Sequence, residues 1–107
     1  MTGFDDRKDA MERKYAHEEK MSFEIEARTS KLFGLWAAEQ MGITGADADV
    51  YAKEVVIANL EEAGFDDIIR KVRADFDAKG IEMTDHMMQT QVELAHQEAR
   101  KQILENL

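Results

Sequence analysis

Apolar residues recur at intervals of three and four along almost the whole chain, which is the period of helices and not of strands. The clearest stripe is Phe65, Ile68, Ile69, Val72 and Phe76; it predicts a helix over roughly Asp67–Lys79, closed by Gly80. Further on, Met88, Val92, Ala95, Ala99 and Ile103 repeat the spacing and predict a helix capped by Thr84, with Leu104 and Leu107 extending its last turn. Thr44-Gly-Ala-Asp47 is a relative of the capping box and opens a predicted helix of about 18 residues that ends before Gly64. Val50, Tyr51, Val55, Ile57, Ala58 and Leu60 supply its apolar surface. The first helix begins near Asp5 or Asp6 and runs to Met41, and its second half places Met21, Ile25, Leu32, Leu35, Trp36 and Ala38 or Glu39 around one broad face. Trp36, beside Leu32, Phe33 and Leu35, reads as core. There is no Pro, and Gly42, Gly45, Gly64 and Gly80 mark the breaks, leaving Gly34 inside a helical pattern.

The first third of that opening helix is polar. Residues 1–30 hold six Lys/Arg and eight Asp/Glu, and the apolar positions before Met21 reduce to Phe4, Met11, Tyr15 and scattered Ala. A helix with so little to bury is solvated, bridging, or completed by another surface. Asp5, Asp6 and Asp9 favour a helix start there by complementing the positive end of the macrodipole. The expected architecture is all-α: a four-helix bundle over 21–107, its short connections favouring antiparallel neighbours, with a mobile N-terminal arm over 1–20 extending the first helix. Fully helical, residues 5–41 span about 55 Å, so the arm overhangs the bundle or folds back on it.

Charge and composition narrow the function classes. The net charge of −9 divides into −2 over residues 1–30 and −7 over the remainder. An acidic body repels phosphate backbones and anionic lipid, which argues against nucleic acid or membrane surface as partners. The absence of Cys excludes a disulfide framework and thiolate-bound metal and fits a reducing compartment. With neither a long apolar run nor a leader pattern, the expectation is a soluble, cytoplasmic protein.

Catalytic chemistry finds little support. Glu93-Leu-Ala-His96 is a single E-x-x-H, whereas a carboxylate-bridged two-metal bundle needs a second copy, so an exposed polar surface is expected there. His86, near Asp85, reads as surface. Asp47-x-Asp49 opens like a calcium loop, but the required Gly and Glu are replaced by Ala52 and Ala58. Glu61, Glu62, Asp66 and Asp67 around Gly64 serve helix-end solubility. No nucleophile arrangement or phosphate loop is present, so no enzyme and no metal site are expected. His17, beside Glu18 and Glu19, would change the arm's charge near its ordinary pKa of about 6.5 and is a candidate pH sensor.

The strings Phe4-Asp5-Asp6-Arg7, Tyr15-Ala16-His17, Glu26-Ala27-Arg28, Gly34-Leu35-Trp36-Ala37-Ala38 and Glu61-Glu62-Ala63-Gly64 together resemble the zeta subunit of alphaproteobacterial F-type ATP synthases over the whole chain. The resemblance implies an inhibitor of ATP hydrolysis whose N-terminal segment is mobile when free and helical when bound. It implies insertion between catalytic alpha and beta subunits, reaching the central stalk, at the cytoplasmic face of the inner membrane and peripheral to it only through the synthase. The inhibitory contacts would lie within Phe4, Asp5, Asp6, Arg7, Lys8, Met11, Glu12, Arg13, Lys14, Tyr15, Ala16 and His17, with Phe4, Met11 and Tyr15 as apolar anchors. No cofactor is required; a weak adenine-nucleotide site on the bundle is a family-level implication, without assigned residues. A helical adaptor for another protein, and a small-ligand or metal carrier, are the alternatives.

Overall fold

A computed structural model describes the backbone of residues 2–60 and 64–106, and the side chains of residues 21–60 and 64–106. Among the described residues the chain forms four helices and no strand: α1 (Thr2–Gln40), α2 (Ala46–Ala58), α3 (Asp66–Ala78) and α4 (Asp85–Glu105). At 1.5 Å per residue α1 is about 58 Å long and α4 about 31 Å. The long dimension of the molecule is 66 Å against 24 and 20 Å across, so α1 overhangs the bundle. The side chains of the expected arm, residues 1–20, like the cluster at Glu61 and Glu62 and the terminal Leu107, lie outside the described residues.

Two helix ends are built the same way. Gly42 and Gly80 adopt φ of 73° and 71°, a left-handed conformation that a Cβ would oppose. After α1, Gly42 N–H donates to Glu39 O at 3.1 Å and Ile43 N–H to Ala38 O at 2.9 Å. After α3, Gly80 and Ile81 repeat the pattern on Asp77 and Phe76, at 3.1 and 2.9 Å. This Schellman closure satisfies carbonyls the helix leaves free and turns Ile43 and Ile81 back onto the core. The α4 start is as expected: Thr84 Oγ1 accepts from Met87 N–H at 3.1 Å.

The core joins all four helices. Phe33, Ala37 and Ala38 of α1 meet Tyr51 and Val55 of α2, Ile68, Val72 and Phe76 of α3, and Met88, Val92 and Ala95 of α4. Trp36 is half-buried, stacked on Phe33 at 5.5 Å between ring centroids and edge-on to Phe76 at 5.8 Å, as its core reading requires. Full burial of a side chain the size of Phe33, Phe76 or Met88 contributes about 1.5–3 kcal/mol.

The buried face of α1 differs from the expected one. Thr29, Ser30, Phe33, Gly34, Ala37 and Ala38 are buried, whereas Leu32, Leu35 and Trp36 flank them half-exposed and Glu39 is exposed. The Thr29 and Ser30 hydroxyls donate back to Ile25 O and Glu26 O at 2.7 and 3.0 Å, which satisfies them without a cross-helix partner. Small side chains let α2 approach closely. A Cβ at Gly34 would stand 2.9 Å from Ala52 Cα and 3.1 Å from Val55 Cγ2.

α2 also departs from expectation. Its N-cap is Gly45, at φ 62° and with no side-chain hydrogen bond, so Thr44 does not cap it and the helix is shorter, 13 residues. The chain turns at Gly45 and leaves Asp47 and Asp49 of the first turn to complement the helix dipole. Tyr51, Ala52, Val55 and Asn59 face inward, while Val50, Ile57 and Leu60 are 56%, 64% and 58% exposed. Once Gly34 and Ala52 bring the two backbones together, only one side of α2 is covered.

Candidate partner-binding surface

Polar side chains at the helix junctions tie elements together. Tyr51 donates to Asp75 Oδ2 at 2.7 Å, and Lys71 reaches the same oxygen at 2.9 Å while lying 3.7 Å from Glu54 and over the Tyr51 ring. Burial pushes the Tyr51 phenol far above its ordinary range, with the Asp75 hydrogen bond and the charges of Asp75 and Glu54 acting in the same direction. Arg73 donates to Met83 O at 2.6 Å and pairs with Asp85, which pins the start of α4 to α3. Arg70 pairs with Asp67 one turn earlier.

The residues weighed for metal chemistry are dispersed. Glu93 and His86 are exposed, and among the described residues no group of three or more His, Cys, Asp or Glu could hold an ion. His96 is half-buried, not an open polar surface: its ring meets that of Phe65 edge-on at 5.7 Å. Asp47 and Asp49 are exposed in the first turn of α2. Asp66 is exposed and Asp67 half-buried in the first turn of α3.

The remaining candidates, Phe4 to His17, all lie on the overhanging part of α1; their side chains are outside the described residues. The backbone still fixes their register. At about 100° per residue, Phe4, Lys8, Met11 and Tyr15 fall in one stripe, with Glu12 beside it and Arg7 and Lys14 on its other flank. Asp6, Arg13 and His17 fall on the opposite side, and Asp5 and Ala16 at the edges. The expected contact set therefore does not share a face. This register separates the apolar anchors from His17, a division the residue list alone did not make.

The sequence model of one family, ATPase inhibitor subunit zeta, matches residues 1–102. The chain belongs to that family. Membership supports an inhibitory role on the ATP synthase, association with that enzyme, and a regulatory rather than catalytic character. A protein solved by solution NMR is 41% identical to the chain and superposes with a TM-score of 0.70, covering 81% of this chain and 99% of that one. No curated protein matches. No helix among the described residues is long and apolar enough to cross a membrane.

Proposed function

We propose that the chain blocks ATP hydrolysis by inserting the N-terminal part of α1, residues 1–20, at a catalytic alpha/beta interface of the F-type ATP synthase, where it also reaches the central stalk. The body, residues 21–107, remains outside. The observation that carries this reading is the overhang of α1, whose helical register sets the positions Phe4, Met11 and Tyr15 along one line of the helix past the rest of the bundle. Such a stripe is completed by a cleft that covers it.

A helix wedged at that interface prevents it from opening or closing, so hydrolytic rotation stalls; synthesis turns the rotor the other way and expels the wedge. Ordering a free arm costs roughly 1–2 kcal/mol per residue in backbone entropy, so an extensive cleft is required. Phe4, Met11 and Tyr15 supply apolar contact, Lys8 a charge within the same stripe, and Arg7, Lys14 and Glu12 the flanking charge. Inhibition needs no cofactor, the protein resides at the cytoplasmic face of the inner membrane when bound, and any adenine-nucleotide binding to the bundle is weak.

Deletion of residues 2–18 tests the mechanism. It abolishes inhibition of the cognate ATPase, while helical content and Trp36 fluorescence of the body persist; inhibition unchanged by the deletion would sink the proposal. His17→Ala addresses the pH response. On the side of α1 opposite the anchors, it leaves inhibition at neutral pH intact, and an altered pH profile marks His17 as the sensor.

A further inference from the structure

The side of the body formed by α1 and α2 carries a furrow that the inhibitory segment does not use. Two depressions, of about 530 and 380 Å³, share Lys31 and Val56 and so run into one another. One wall is Phe23, Ala27 and Lys31 of α1, at intervals of four, and the other is Lys53, Val56 and Ile57 of α2. Phe23 and Ile57 are 59% and 64% exposed, more than an aromatic and a β-branched side chain gain from water. Ile103 of α4 closes the far end.

Charge identifies the occupant. Residues 21–107 hold nine Lys/Arg against seventeen Asp/Glu, yet the furrow reverses that balance, with Arg28, Lys31 and Lys53 against Glu24 and Asp49. Lys31 and Lys53, like Lys79, Arg100 and Lys101, enter none of the ion pairs among the described residues, so both ammonium groups on the furrow can meet carboxylates of a partner. An apolar floor between two antiparallel helices, rimmed by unpaired ammonium groups, is the complement of a helix with an apolar stripe and acidic flanks. The α1 wall from Phe23 to Lys31 runs about 12 Å, and the α2 side matches it only when counted from Asp49 to Ile57, enough for roughly two turns of such a helix at the usual interaxial distance of 8–10 Å.

We propose that this furrow docks an acidic amphipathic helix of a partner protein, as an attachment separate from the N-terminal segment and independent of whether that segment inhibits. The probe is a synthetic peptide of about 18 residues, five helical turns, with Leu on one face and Glu on its flanks, titrated into the isotope-labelled full-length chain and followed by NMR. The expected result is shifts centred on Phe23, Lys31, Val56 and Ile57, with binding weakened about tenfold or more by the double variant Lys31→Glu, Lys53→Glu. Both lysines are exposed, and unchanged circular dichroism establishes that the variant folds. A matched peptide with Lys flanks leaves these residues unshifted. The proposal is overturned by absent shifts, by equal binding of both peptides, or by full affinity in the double variant. It is equally overturned if inorganic phosphate shifts the furrow and the acidic peptide does not, or if the free chain self-associates through this face and Ile57→Glu abolishes that association.

Discussion

Replacing Gly34 by Ala sets two known effects against each other at one buried position. In a helix interior the substitution favours folding by about 1 kcal/mol, through reduced backbone freedom of the unfolded chain. Against this, the new Cβ would stand 2.9 Å from Ala52 Cα and 3.1–3.2 Å from Val55 Cγ2 and Cβ. Ala52 Cα is backbone and cannot swing aside, and Val55 is fully buried and stiff at χ1. Relief requires α1 and α2 to separate, an overpacking cost of about 1–3 kcal/mol, here toward its upper end. The expected net loss is about 1–2 kcal/mol, which at roughly 4–8 °C per kcal/mol lowers the melting temperature by roughly 5–15 °C. Urea denaturation followed by far-ultraviolet circular dichroism and Trp36 fluorescence reads it as a lower midpoint at unchanged slope. Ser22→Ala, at an exposed position of the same helix, is the control and stays within about 0.5 kcal/mol of the parent. A Gly34→Ala protein as stable as the parent, or more stable, refutes the close approach of α1 and α2.

Tyr51→Phe removes the hydrogen bond to Asp75, and a loss of about 1–2 kcal/mol is expected in the same denaturation assay. The raised Tyr51 pKa also has a sign: its contribution is fully present below about pH 10 and declines above it, because the unfolded chain ionises while the folded phenol does not. Stability measured across that range therefore falls less steeply for Tyr51→Phe than for the parent. Thr84→Ala removes the cap that receives Met87 N–H and costs about 0.5–2 kcal/mol by chemical denaturation. Phe76→Ala opens a cavity beneath Trp36 and costs about 3–5 kcal/mol, with a shift in Trp36 emission.

α3 was legible from spacing alone because its buried residues are large and its outward residues mostly charged; α4 was legible because one face keeps an unbroken period of three to four, although Met87, Leu94 and Leu104 stand exposed outside it. Ile68, Val72 and Phe76, and then Met88, Val92, Ala95 and Ala99, stand where the pattern places them. α1 was harder. Its buried face is mostly small or hydroxylated, and a search for large apolar residues drifts toward Leu35 and away from Thr29, Ser30 and Ala37. α2 is apolar on several sides, so periodicity could not decide between Val55 and Ile57; the packing of Ala52 on Gly34 decides it. The anchors in α1 were legible as residue types but not as a face, since their grouping depends on α1 being helical from Thr2 onward.

Because α1 continues without interruption from Thr2 to Gln40, the bundle sets the rotational phase of the overhanging segment as well as its reach. Met11 and Thr29 are separated by about five whole turns, and so are Tyr15 and Phe33. The anchors therefore share an azimuth with the side chains that the body itself buries, and a cleft that takes them continues along the side of α1 that the other helices cover. One residue inserted near Ser22 advances the tip by only about 1.5 Å but rotates it by about 100°, carrying the anchors off that azimuth. Seven inserted residues lengthen the overhang by about 10 Å and return the anchors to within about 20° of their original direction. Angular alignment and length thus become separately adjustable properties of a single helix.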